Sequence, residues 1–376
     1  MVSKATPKRP PAASRTPSKT SGQAAASSSA APSVVRNTEN QQRLLDVFSD
    51  AFSNVLSSEG FPALLQEIKQ ALFNRDFAAA FGREDYLDAY AARWSPTRAL
   101  CYATVFLAVR DYLDQMLVPH HGPATTDTAG HGKEEQGPPD EPEEQSRSRG
   151  SPTSKRLRML SIGGCAAEHV AFASYLGDTS SLGTLTLLDS APWSRVAALL
   201  QNQLTTAPPL SKYASAAAKA SNQPFLLEPQ LSLTFSQGDA LSLTRDRLAE
   251  LVGAQPLVVT LLFTLNELYT DGSIGQTTKF LRLLGESLPH GSLLLVVDSP
   301  GSYSEAAVGK EKKRYPMQWL LGHTLLETQT PGYTWERLES KDSIWFRLPE
   351  GLSYPIQLEN MRYQMHLYKI HKTRLS

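Results

Sequence analysis

The run Leu257 to Phe263, LVVTLLF, carries a single hydroxyl and no charge over the length of a β-strand. A strand wetted on one face alternates polar and apolar residues. One without alternation is covered on both faces, as at the centre of a parallel sheet. Parallel neighbours need long crossover connections, usually helices, so this segment selects an α/β architecture. The surrounding chain agrees. RMLSIG at Arg158 to Gly163 reads as a strand and Glu168 to Tyr175 as part of a helix. Thr184 to Leu188 is a second strand, followed by a helix from near Trp193, and Leu231 to Phe235 is a third, half-buried strand. After LVVTLLF, a helix over Ile274 to Leu288 leads through Pro289-His290-Gly291 into a fifth strand, Leu293 to Asp298. Trp335 to Leu338, Ser343 to Phe346 and Met361 to Tyr368 read as antiparallel strands added at an edge.

Upstream the periodicity is helical. Leu44, Leu45, Val47, Phe48, Phe52, Val55 and Leu56 recur at helical spacing, as do Leu64, Leu65, Ile68 and Leu72. A third helix covers Asp85 to Arg93. A fourth follows Ser95-Pro96, which fits an N-cap with proline at the first helical position. Residues 1–38 lack aromatics and are rich in Ala, Ser, Pro and Lys, a composition that buries too little to offset ordering entropy. The stretch 119–154, with its acidic block followed by Arg147, Arg149, Lys155 and Arg156, reads as a disordered insert or linker. The expected organisation is therefore a basic tail over 1–38, a helical module over 39–118, the linker, and an α/β domain over 155–376.

Lys+Arg and Asp+Glu both number 37, and the neutral total argues against a general polyanion binder. Two cysteines, Cys101 and Cys165, exclude a disulfide framework and point to a reducing compartment. The eight histidines are scattered, and no metal site is expected. No apolar run approaches the roughly 20 residues of a membrane span, and the basic N-terminus has no apolar core of a secretory signal. Its Lys4, Lys8, Arg9, Arg15 and Lys19 suit a nuclear or nucleolar address, an RNA-touching tail or a plain solvated tail.

Ligands of such sheets bind at the carboxyl ends of the strands, and four strand ends carry suggestive residues. Gly163 and Gly164, ahead of Cys165-Ala166-Ala167-Glu168, permit a tight turn and close backbone approach at a helix start. The plain alternative is a simple strand-to-helix joint, with Cys165 a small lining residue. Asp189, about 25 residues further on, suits hydrogen bonding to ribose hydroxyls. Trp193 either covers an adenine face or packs its helix on the sheet. Gly238-Asp239 either meets an adenine amino group or makes an ordinary turn. In Phe263-Thr264-Leu265-Asn266-Glu267, Asn266 and Glu267 follow a buried strand directly. They are candidates for chemistry, while Thr264 and Glu267 also form a capping-box pattern. An NAD-linked dehydrogenase would also use an acid such as Asp189, but the full dinucleotide fingerprint is absent.

These tracts resemble the fungal 25S rRNA (uridine-N3)-methyltransferases, within the Rossmann-like class I S-adenosylmethionine-dependent methyltransferases. The similarity lies in YLDAYAARWSPTRALCYATVF (Tyr86 to Phe106), LSIGGCAAEHVAFASYL (Leu160 to Leu176) and TLTLLDSAPW (Thr184 to Trp193). It continues in VVTLLFTLNELYT (Val258 to Thr270), LLLVVDSPGSYS (Leu293 to Ser304) and the segment from Trp335 to Ile370. The resemblance implies a mostly parallel seven-stranded sheet, S-adenosylmethionine as cofactor, and methylation of N3 of a uridine in large-subunit rRNA or a pre-ribosomal particle. It implies work in the nucleus, chiefly the nucleolus, with the cytoplasm as an alternative; a monomer with no membrane partner is expected. Gly163 and Gly164 would approach the methionine part, Asp189 the ribose, Gly238 and Asp239 the adenine. Phe263 and Thr264 would complete the cofactor pocket, with Glu267 accepting the N3 proton and Asn266 orienting the uracil. Tyr269 and Tyr303 would wall the base, Asp298 would position the substrate loop, and Lys310, Lys312, Lys313 and Arg314 would touch RNA or form a solvated loop. Ala166 stands where the family commonly has a further glycine. The competing functions are the same fold acting on a protein or small molecule, and a non-catalytic ribosome-assembly factor.

Overall fold

The computed structural model describes residues 38–119, 155–271, 273–301, 303–308, 311–328 and 330–373. The expectations for the basic tail and for most of 119–154 lie outside them. Seven helices come first: α1 (Thr38–Ala51), α2 (Ser53–Leu56), α3 (Phe61–Phe73), α4 (Phe77–Phe81), α5 (Glu84–Arg93), α6 (Ser95–Ala108) and α7 (Arg110–Asp114). The strands are β1 (Val118–Pro119), β2 (Lys155–Ile162), β3 (Leu182–Asp189), β4 (Leu231–Gln237), β5 (Val258–Leu262), β6 (Leu293–Asp298), β7 (Tyr303–Val308), β8 (Glu311–Pro316), β9 (Tyr333–Phe346) and β10 (Met361–Lys372). Between them run α8 (Ala166–Thr179), α9 (Ser194–Thr205), α10 (Ala216–Ser221), α11 (Arg245–Val252), α12 (Leu265–Asp271), α13 (Ser273–Ser287) and α14 (Met317–Gly322).

The main sheet has the order β4-β3-β2-β5-β6-β10-β9, with the short β1 pairing antiparallel to β2. Strands β4, β3, β2, β5 and β6 are mutually parallel, and β10 enters antiparallel between β6 and β9. This is the mostly parallel, Rossmann-like seven-stranded sheet that the sequence led us to expect. Every residue of β5 and β6 is buried, as the missing alternation required. The two short strands expected at 335–338 and 343–346 are one continuous edge strand, in which the polar Glu339, Ser340 and Lys341 between them pair with Leu367, His366 and Met365 of β10. The basic segment after Val308 was read as an RNA contact, with a solvated loop as the alternative; from Glu311 its backbone forms β8, paired with β7.

Helix α8 is buried from Ala166 through Leu176, with no solvated stripe. A helix apolar all round is covered all round, and here β3 lies beneath it and α6 above. Phe106 of α6 meets Phe172 and Tyr175 edge-on at 6.4 and 6.3 Å. Gly183 in β3 permits this close stacking: a Cβ there would stand 2.4 Å from Leu176 Cδ1 and 2.8 Å from Phe172 Cε1. The helical segment therefore shares one core with this face of the sheet, Leu44, Phe48, Leu100 and Phe106 joining Leu157, Leu185 and Leu295. The opposite face is covered by α11, α13 and α14. At the start of α6 the cap differs from expectation. Trp94 takes the N-cap place, Ser95 is buried inside the helix, and no side chain caps it.

A shared core makes one cooperative unit. Leu100→Ala, at a fully buried position, should cost about 2–5 kcal/mol, and calorimetry should still show one transition for helices and sheet together. Separate melting of the helical segment would contradict the shared core.

Candidate functional site

The strand order reverses between β2 and β5, and the crevice of an open α/β sheet forms at such a switch point. A cavity of about 590 Å³ lies there, in the range of sites for small molecules. Gly163, Gly164, Asp189, Gly238, Asp239, Phe263, Thr264 and Glu267 all line it, so eight residues scattered over 105 positions of sequence meet at one place. The loops remain in register beyond the strands. Gly163 N–H donates to Leu188 O and Gly238 N–H to Asp189 O, both at 2.8 Å.

The Gly-Gly turn is tied to its neighbours on both sides. Gly163 has φ +73°, and a Cβ there would fall 2.1 Å from Thr264 Cγ2. The Thr264 hydroxyl donates to Gly163 O at 3.1 Å, lacing the β2 loop to the β5 loop. A Cβ on Gly164 would fall 2.3 Å from the Glu168 carboxylate, which folds back over the start of α8. Phe263 has φ +60°, a left-handed conformation that costs a non-glycine residue energy and recurs at functional sites.

Asp189 accepts the Ala191 N–H at 2.8 Å, and the Cys165 thiol donates to the same carboxylate. Cys165 is thus a lining residue; burial, with Asp189 and Glu168 nearby, pushes its thiol far above the reactive range. Asp239 lines the cavity and also accepts Leu241 N–H at 2.9 Å, closing the turn that borders it. Trp193 lines the cavity too, but it is buried and packs against Phe81 and Tyr90 at 6.2 and 6.0 Å. It joins the helical segment to the sheet edge.

Asn266 does not line the cavity. Its backbone N–H donates to Asp298 Oδ2 at 3.0 Å, and Asp298 also accepts Ser299 N–H at 2.7 Å. The start of α12 is therefore held by a carboxylate from β6, while the Thr264 hydroxyl turns to the Gly163 carbonyl. Tyr269, expected to wall the base, is buried with Leu265, Phe280 and Leu284 in the core on the α13 side of the sheet and does not line the cavity. The side chains of Tyr303, Lys310, Lys312, Lys313 and Arg314 lie outside the described residues.

Arg98 and Glu168 complete the site. Arg98 projects from the otherwise apolar α6, donates to the Tyr90 hydroxyl, and lies 5.0 Å from the centre of the Phe263 ring. Burial works against its charge, yet Tyr90, Tyr102, Glu168 and Glu267 around it hold the guanidinium above the usual arginine range. The lone cation within an apolar helix was the available sequence signal for Arg98. Glu168 was visible in GGCAAE, but without a role. The cavity then offers the carboxylates of Asp189, Asp239, Glu168 and Glu267 against one guanidinium. Such a set suits a ligand with hydroxyls, net positive charge and one carboxylate.

Burial pushes the Glu168 carboxyl up to about 7, against the pull of its own backbone N–H and of Arg98. Burial likewise raises Asp189 and Asp298 to about 6. An acid that binds its proton more tightly when folded makes stability fall as pH rises between its unfolded and folded values. For Glu168 that window runs from 4.5 to about 7. Glu168→Gln should flatten this decline, so that its stability relative to wild type rises by up to about 3 kcal/mol between pH 5 and pH 8. Urea titrations at pH 5 and pH 8 check it; an unchanged pH slope would contradict the assignment.

Residues 48–369 match the protein family described as SAM-dependent methyltransferase. The 25S rRNA (uridine(2843)-N(3))-methyltransferase of Saccharomyces cerevisiae is 29% identical over 364 residues, covering 89% of this chain and 86% of that one. Among solved structures, the N-methyltransferase NodS from Bradyrhizobium japonicum, in complex with S-adenosyl-L-homocysteine, is 11% identical, covers 57% of this chain and 77% of its own, and has a TM-score of 0.28. A SAM-dependent methyltransferase from Methanosarcina mazei is 10% identical, with 56% and 91% covered and a TM-score of 0.29. With its family matched over most of its length and the sheet order and cavity in agreement, the chain belongs to the S-adenosylmethionine-dependent methyltransferases.

Proposed function

We propose that this protein methylates N3 of a uridine in large-subunit (25S) rRNA, using S-adenosylmethionine, during ribosome assembly in the nucleus or nucleolus. The observation that carries this reading is the near full-length likeness to a yeast enzyme named for that reaction. The chain would act as a monomer, on rRNA or a pre-ribosomal particle.

The cavity fits the cofactor by its donor set and its glycines. Asp189 would take the ribose hydroxyls, and Asp239, Gly238 and Leu241 the adenine end. Gly163 and Gly164 leave room where any Cβ would strike Thr264 or Glu168. Phe263 and Thr264 close the wall. Arg98 would pair with the carboxylate of the methionine part, while Glu168 would answer its ammonium. When bound, S-adenosylmethionine supplies an electrophilic methyl group on a sulfonium.

The protein's own share is alignment and proton handling. Uridine N3 carries a proton at neutral pH and is engaged when the base is paired, so the base must be presented unpaired. Glu267 would accept that proton as N3 bonds to the methyl carbon, and would release it to water afterwards. Its position is set from behind: Asp298 fixes α12 through the Asn266 N–H, one residue before Glu267. Asn266 would thus contribute through its backbone. Phe77 and Phe81 of the helical segment line the cavity and would help shield a bound ligand from water.

Incubation with isotope-labelled S-adenosylmethionine and unmodified large-subunit rRNA, followed by nucleoside mass spectrometry, should give N3-methyluridine at one site. Glu267→Gln should slow single-turnover transfer by at least about 100-fold, with S-adenosylhomocysteine affinity unchanged. Label on a protein or small molecule instead, or an unaltered rate for the variant, would overturn the acceptor or the base, respectively.

A further inference from the structure

We propose that Trp345, with Arg347 and Arg362, is a stacking platform for single-stranded RNA beside the active edge. This rests on the reading of RNA as substrate and adds a surface distinct from the cavity. Trp345 is 56% exposed, whereas Phe346 and Tyr363 next to it are buried on the other face of the sheet. Arg362 pairs with Trp345 across β10 and β9. Both Arg362 and Arg347 place their guanidinium carbons 5.8 Å from the centre of the Trp345 rings. Arg362 is held there, since its Nε donates to Ser343 Oγ at 2.7 Å, two residues back along β9.

The arrangement suits a base and its phosphates. A large exposed indole on a sheet edge invites association. Two guanidiniums lying over its ring system turn that surface toward anionic, flat partners. Nucleic-acid bases stack on indole irrespective of sequence, and guanidinium groups grip phosphate. Among the described residues, the ion pairs of arginine lie elsewhere, at Arg83, Arg93, Arg110, Arg195, Arg245 and Arg247, so these two guanidiniums are not spent on carboxylates.

Topology supplies the location. Gln364, two residues after Arg362, pairs with Asp298 at the end of β6, and its side-chain amide donates to Ser299 O at 2.7 Å. Because β10 is antiparallel to β6 and β9, the end of β9 lies at the same carboxyl edge as the cavity. Two strand spacings and two residues of rise put the Trp345 backbone roughly 12 Å from that of Asp298. A short stretch of RNA flanking the target uridine spans that distance.

The test uses the full chain and a labelled, single-stranded, uridine-rich oligoribonucleotide in fluorescence anisotropy, alongside the rRNA methylation assay. Trp345→Ala should weaken RNA binding by about 5- to 100-fold, and Trp345→Phe should restore most of it. The double variant Arg347→Ala/Arg362→Ala should lower the salt slope by about 1.4. Melting temperature and S-adenosylhomocysteine affinity should stay at wild-type values in all three. Wild type that methylates rRNA, with Trp345→Ala binding RNA equally well, would show mere edge protection and overturn the platform alone. Wild type that neither binds nor methylates RNA would overturn the platform and the substrate reading together.

Discussion

The site is organised around one half-buried guanidinium. Removing an arginine from water is costly unless charge and hydrogen bonds answer it, and the answers to Arg98 come from three separate parts of the chain. Tyr90 comes from α5, Glu168 from the first turn of α8, and Glu267 from the first turn of α12. Meeting this one charge fixes the helical segment on the sheet and aims two carboxylates into the same cavity. The same low-dielectric surroundings raise Glu168 and Asp189, acids that ligand hydroxyls and cations would help ionise. Stability is given up locally for a site ready to bind.

The fully buried β5 and β6 make the rest possible. A strand covered on both faces leaves only its ends for chemistry, and here those ends are cross-laced. Thr264 holds Gly163, Asp298 holds Asn266, and Phe263 N–H donates to Val297 O at 2.7 Å. The left-handed Phe263 is kept in place by that last bond from below and by Arg98 above its ring. Strain of this kind persists only where the surroundings over-determine it.

The sheet and most of the cavity were legible in the sequence because they depend on local signals. The apolar runs gave β5 and β6, and the Gly-Gly turn, Asp189, Gly238-Asp239 and Thr264 sit at strand ends that topology must gather. What could not be read locally was partnership over long separations. The capping-box pattern at Thr264 was sound chemistry, yet Thr264 bonds Gly163 and the helix start is held by Asp298, 32 residues away from Asn266. Tyr269 follows the active loop in sequence but turns into the core, since α12 presents that face to α13. Arg98 was plain as an odd charge in an apolar helix, although nothing local said that α6 would lie over the cavity. The continuous β9 was hidden because its middle, Glu339 to Asp342, is polar on both faces and interrupts the apolar pattern.

The central claim is that the helical segment completes the cofactor site through Arg98. Calorimetric binding of S-adenosylhomocysteine and of 5′-methylthioadenosine, which lacks the amino-acid end, tests it most directly in wild type and Arg98→Met. Loss of a charged hydrogen-bonding partner should weaken S-adenosylhomocysteine binding by about 10- to 100-fold, with methylthioadenosine affinity nearly unchanged. Equal losses for both ligands, or none for either, would contradict a carboxylate clamp and leave Arg98 a purely architectural residue.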